Sequence, residues 1–199
     1  MTDRTTNVLI AGVGGQGVLL ISEILSLACM KIGQDVKKSE VHGMAQRGGS
    51  VISHVRFGRR IQSPLIEQGT GHVLLALEKL EALRWGHLLS SDGVIIMNSQ
   101  QISPLPVAVG LQKYPHKIAD QLRQQVGRLV IIDAADMARK AGNIRSANIN
   151  MLGALIAHLN LDPDVIRDVL RSRLSKRTWP VNLKAFRMGM EAYRKSDAD

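Results

Sequence analysis

The chain predicts an α/β protein: a Rossmann-like doubly wound, mostly parallel sheet followed by a helical C-terminal region. Three observations carry that expectation. A glycine-rich turn joins a short apolar run to an apolar helical stretch near the start. Short apolar runs then alternate with helical stretches, and after Asp133 the pattern is helical throughout.

Asn7 to Ala11 reads as a short buried strand, and Val18 to about Ile32 as a helix whose polar positions Ser22, Glu23 and Ser26 gather on one side. The largely apolar stretch from Val8 to Met30 is long enough to be mistaken for a membrane span. Gln16, Glu23 and the glycine cluster break it, and strand, loop and helix account for it better. Strand-like runs recur at Val51 to Phe57, Val73 to Leu77, Val94 to Asn98 and Leu129 to Asp133. The last three are short and apolar, as in the interior of a parallel sheet. Helical stretches alternate with them at Leu80 to Leu89, His116 to Val126 and Ala135 to Ala141.

From about residue 144 to residue 199 the reading is helical: first Ser146 to Leu159, then a helix with Asp162 as N-cap and Pro163 at its first position. Arg171, Arg173, Lys176 and Arg177 close that helix, where they complement its dipole on a solvated face. In the last stretch, Pro180 to Tyr193, the residues Leu183, Phe186, Met190 and Tyr193 form one apolar stripe, most simply a core-packing face.

A length of 199 residues with 45% hydrophobic content suits one α/β domain spanning 1–199. The polar start, Met1 to Asn7, offers no signal peptide, and the expected location is cytoplasmic. Cys29 is the single cysteine and lies in an apolar helical stretch, so neither a disulfide framework nor a thiolate set for an iron–sulfur cluster is available. The six histidines lack metal-ligand spacing. A net charge of +9 invites a nucleic-acid hypothesis, but aromatics are only 3% and no known recognition motif appears, so neither nucleic acid nor membrane is an expected partner.

The turn "AGVGGQGV" fits G-x-G-x-x-G through Gly12, Gly14 and Gly17, with Gly15 adding freedom and Gln16 a neutral amide. Such a loop admits an anion against the helix N–H groups, so these five residues are a candidate phosphate site. A turn that merely packs helix on strand competes with it. For a nicotinamide cofactor an acidic residue should close the second strand roughly 20 residues on, and Glu40 is near that distance. It lies, however, between Lys37–Lys38 and a second glycine-rich segment, an unusual ending for such a strand.

That second segment, "SEVHGMAQRGGS", reads as a functional polar loop. It gathers Ser39, Glu40, His42, Gly43, Gln46, Arg47, Gly48 and Gly49. Arg47 supplies a fork for a carboxylate or phosphate, His42 a titratable ring, and Gln46 and the Gly48–Gly49 backbone supply amides, with Met44 the one apolar anchor. His42 and Arg47 are the candidate catalytic residues, with positioning the favoured role. An ordinary polar loop with an exposed arginine is the bland competitor.

Together these segments resemble the gamma-type module of the 2-oxoacid:ferredoxin oxidoreductases, and within that family the small subunits of the indolepyruvate type. The matching residues are "GVGGQGV" at 12–18, "SEVHGMAQRGGSV" at 39–51, "SHVR" at 53–56, "SPLI" at 63–66, "LLALEKLEALR" at 74–84 and "ANINMLGAL" at 147–155. Pyruvate and 2-oxoglutarate members are similar at the glycine loop but usually carry Tyr-Gly and an acidic residue before Arg-Gly-Gly. Here His42-Gly43-Met44-Ala45-Gln46 stands there, which favours the indolepyruvate type.

The resemblance implies oxidative decarboxylation of an arylpyruvate with coenzyme A to an aryl-acetyl-CoA and carbon dioxide, electrons passing to ferredoxin. It further implies that thiamine diphosphate, magnesium and the iron–sulfur clusters belong to a large (alpha) partner subunit. The present chain would then be a non-redox subunit, silent alone, with coenzyme A as a co-substrate and ferredoxin reached through the complex. A gamma subunit for another 2-oxoacid, a free-standing NAD-dependent dehydrogenase and a basic nucleic-acid-binding protein are the alternatives.

Overall fold

The computed structural model describes residues 5–43 and 48–198. Six strands form one sheet: β1 (Thr6–Val13), β2 (Asp35–His42), β3 (Ser50–Gly58), β4 (Gly71–Ala76), β5 (Leu89–Asn98) and β6 (Arg128–Ile132), in the order β2-β3-β1-β4-β5-β6. β1, β4, β5 and β6 are mutually parallel. β3 runs antiparallel to both β1 and β2. The helices are α1 (Val18–Lys31), α2 (Lys79–Trp85), α3 (Leu105–Ala108), α4 (Ile118–Arg123), α5 (Ala134–Ala141), α6 (Ala147–Leu159), α7 (Pro163–Arg173) and α8 (Trp179–Ala198).

The α/β architecture matches the sequence expectation, with two corrections. Asp35–His42 is a strand, so Ser39, Glu40 and His42 belong to β2 and not to a loop. Its pattern is polar because it is an edge strand with most positions exposed, and nothing in an apolar-run reading marks such a strand. Second, α1 does not lead into a strand beside β1. β2 and β3 form a hairpin, and β3 takes the place beside β1.

Alternation along each strand divides the core into two. Val8, Ile10, Val55, Val73, Leu75 and Ile96 point to the side covered by α1, α5, α6, α7 and α8, while Leu9, Ala11, Ile52, Leu74, Ile95 and Met97 point to the side covered by α2 and α4. The C-terminal helices therefore complete one wall of the sheet. Asp162 caps α7 as its sequence suggests, its carboxylate accepting from the Asp164 N–H at 2.9 Å. Phe186, Met190 and Tyr193 of the expected stripe are buried. α8 crosses α6 at backbone distance: a Cβ at Gly153 would collide with the Phe186 carbonyl, and one at Gly189 with the Asn150 carbonyl. Cys29 lies in this core, where burial pushes its thiol up to about 12 and leaves it inert. Among the described residues no helix is long and apolar enough to cross a membrane.

Candidate functional site

The glycine loop connects the C-terminal end of β1 to α1, at the edge of the sheet where open α/β folds bind ligands. Its shape is fixed largely from within. Gln16 folds back so that its Oε1 accepts the Val13 N–H at 2.7 Å, while its Nε2 donates to the Leu77 carbonyl at 2.9 Å and to Gln100 Oε1 at 3.1 Å. One side chain thus ties the ends of β1 and β4 together. Gly12, buried as the last turn-facing residue of β1, leaves room for that amide: a Cβ there would stand 3.0 Å from Gln16 Oε1. Gly17, at φ +89°, starts α1 without a side-chain cap, and the Asn148 amide of α6 rests directly on its Cα. The first N–H groups of α1 have no partner within the helix and face the loop's surroundings.

The second segment meets the first. Gly14 donates its N–H to the Gly49 carbonyl at 2.8 Å, and Gly43 donates to the Ser50 carbonyl at 3.3 Å, so the start of β3 lies beside the glycine loop. His42 ends β2, exposed, and Gly48 turns the chain back at φ +79°. Met44, Gln46 and Arg47 lie outside the described residues. Glu40 is not placed for a nucleotide ribose. Its strand is separated from β1 by β3, and its carboxylate is engaged by Lys38 at 2.7 Å and the Ser22 hydroxyl at 3.4 Å.

Two cavities flank the loop. One, about 320 Å³, is of mixed polarity, with Gln16, Asn98, Gln100, Arg145 and Asn148 facing Leu77, Ile144 and Met151. Arg145 precedes α6, is exposed and forms no ion pair among the described residues. Asn98 is fully engaged as a brace, donating to the Leu77 carbonyl at 3.1 Å and accepting from the Ala134 N–H at 3.2 Å. The other cavity, about 490 Å³, is mainly apolar, between Val13, Val18, Leu19 and Leu20 on one side and His42 and Val51 on the other.

Behind both lie two buried carboxylates that the glycine-centred reading passes over. Glu78 accepts from the Glu81 N–H at 3.0 Å, the Ile102 N–H at 3.0 Å and the Tyr114 hydroxyl at 2.5 Å. Burial, and then the neighbouring Glu78 charge, push the Tyr114 hydroxyl well above the usual phenol range. Glu81 accepts from the Ser50 hydroxyl, from Trp85 Nε1 at 3.1 Å and from Arg84 Nε at 3.2 Å, which anchors the strand start next to Gly49. The E-x-x-E spacing at a strand-to-helix junction was the available signal, since an acidic N-cap followed by Glu at the third helical position is a helix-start signature. Among the described residues, no cluster of His, Cys, Asp or Glu is arranged to hold a metal ion.

The pyruvate ferredoxin/flavodoxin oxidoreductase family matches residues 7–192. The chain is 37% identical over 187 residues to the indolepyruvate oxidoreductase subunit IorB of Archaeoglobus fulgidus, covering 92% of each. In fold it is similar to the gamma subunit of a keto/oxoacid ferredoxin oxidoreductase from Geobacter sulfurreducens, with a TM-score of 0.72 at 22% identity over 96% of this chain and 99% of that one. It also superposes, at a TM-score of 0.74 and 19% identity, on 32% of a 2-oxoglutarate:ferredoxin oxidoreductase chain from Magnetococcus marinus, using 98% of its own length. The fold of this chain therefore corresponds to one part of a longer chain there. The chain belongs to the pyruvate ferredoxin/flavodoxin oxidoreductase family, as a subunit of a 2-oxoacid:ferredoxin oxidoreductase.

Proposed function

We propose that this chain is the non-redox small subunit of an indolepyruvate, or more broadly arylpyruvate, ferredoxin oxidoreductase, and that it works only with a large alpha subunit. The observation that carries this reading is its 37% identity to IorB over 92% of both chains. The overall reaction takes an arylpyruvate and coenzyme A to an aryl-acetyl-CoA and carbon dioxide, with the electrons leaving to ferredoxin. Thiamine diphosphate with magnesium in the partner supplies the decarboxylation chemistry, and iron–sulfur clusters there carry the electrons. With a single buried cysteine, this chain contributes no cluster ligands of its own.

Its contribution is binding and orientation. The crevice beside Gly15 and Gln16 suits the phosphate groups of coenzyme A: Arg145 provides charge and Asn148 an amide. The apolar cavity beside His42, with Arg47 in the sequence between β2 and β3, suits the large subunit, close to where substrate and thiamine meet. A nicotinamide cofactor fits less well, because Glu40 is held by Lys38 two strands from β1.

Steady-state kinetics of the assembled enzyme test the assignment. Arg145→Ala should raise KM for coenzyme A about tenfold, the loss of one charge-assisted phosphate contact, with kcat and subunit affinity unchanged. An unchanged KM would remove coenzyme A from this crevice. Arg47→Ala should instead lower turnover or assembly, with Arg47→Lys recovering only part, because a point charge does not replace the fork.

A further inference from the structure

Among the described residues β2 is an edge eight residues long, Asp35 to His42, paired on one side only, with β3. Edge strands are usually protected from self-pairing by charged side chains, lysine especially, by proline or by a bulge; in β2 each exposed lysine is paired with an acidic neighbour. β2 has no proline, and its ladder to β3 runs in unbroken register from Asp35 to His42. Although the chain carries a net charge of +9, this strand is balanced: Asp35 and Glu40 offset Lys37 and Lys38. Within the strand, Lys38 bonds Glu40 at 2.7 Å and Lys37 approaches Asp35 at 3.7 Å, which places the two pairs on opposite faces.

We propose that β2 pairs antiparallel with β2 of a second copy of this chain, about a two-fold axis at Ser39, to give a continuous twelve-stranded sheet (twice the six strands of one copy). In an antiparallel ladder, residues directly opposite each other turn their backbone groups the same way, so a strand pairing with itself matches odd positions to odd and even to even. Centring on Lys38 would set two lysines against each other. Centring on Ser39 sets Lys38 against Glu40 twice, Val36 against His42, and Lys37 against Val41, whose side chain is half exposed in the single chain (51%). The internal Lys38–Glu40 pair then becomes one face of a four-charge cluster. The axis lies beyond β3 from the glycine loop, and only the end of the ladder, at His42, reaches the apolar cavity beside that loop.

The full-length chain tests this by sedimentation equilibrium. The wild type is expected to be a concentration-dependent dimer of a 21.8 kDa chain. Lys38→Glu and Glu40→Lys should each raise the dimer dissociation constant about tenfold or more by setting like charges opposite each other. An equimolar mixture of the two variants should recover dimers, as should the double exchange in one chain. Ser39→Cys, whose thiol has only buried Cys29 for company, should oxidise to a covalent dimer, because opposite residues at the axis have Cα atoms about 4.5–5.5 Å apart. A wild type that stays monomeric at millimolar concentration, a mixture that recovers no dimer, or a Ser39→Cys chain that forms none would overturn the proposal. So would a purified complex in which the large subunit protects Ser39→Cys from oxidation.

Discussion

Gly15 and Gly17 lie two positions apart in one turn, yet the same substitution should separate them. Both have positive φ, +101° and +89°, but a Cβ at Gly15 meets open space while one at Gly17 runs into Asn148. Gly15→Ala should cost about 1 kcal/mol from backbone strain alone, and Gly17→Ala about 2–4 kcal/mol, read as a shift in the urea midpoint. Equal shifts would mean that α6 does not hold the loop. Tyr114→Phe takes one donor from the buried Glu78 carboxylate and should cost about 1–3 kcal/mol. At this scale the sequence was partly legible. The glycines announced a turn, but Gln16 could equally have been a ligand donor. Only the fold shows its amide bonded to the ends of β1 and β4, because Leu77 and Gln100 are far away in sequence.

Among the elements, β3 carries a buried titratable group. His54 is 7% exposed, its Nδ1 accepts the Ile66 N–H at 3.1 Å, and desolvation holds its pKa below the usual imidazole value. The unfolded chain takes up a proton near pH 6.5 that the folded chain resists. His54 therefore leaves stability intact above about pH 6.5 and erodes it as pH falls below that value, by at most about 1.4 kcal/mol per pH unit. Urea midpoints at pH 7.5 and 5.5 should show the loss in the wild type and a smaller one in His54→Asn, which keeps an acceptor but does not titrate. An equal loss in both would assign the acid sensitivity elsewhere. The apolar strands β4, β5 and β6 were legible because both of their faces are covered by helices. β2 was not, since an edge strand half in solvent has the composition of a loop. That one omission also hid the hairpin that sets β3 beside β1 and carries Glu40 away from the glycine loop.

For the whole molecule, the short matched segments conveyed the family, and the similarity to IorB over 92% of both chains bears it out. What no single chain conveys is the active site, which in this account is completed by the large subunit. In that reading the glycine loop, the mixed-polarity crevice and the apolar cavity, which lie together at one end of the fold, form the surface offered to coenzyme A and the large subunit. The most direct measurement is indolepyruvate- and coenzyme A-dependent reduction of a viologen dye by this chain alone, by the large subunit alone and by the two mixed. This chain alone should show no turnover, and activity should saturate as it is titrated into the large subunit. Dye reduction by this chain alone, or a large subunit whose rate is unchanged by adding it, would contradict the account.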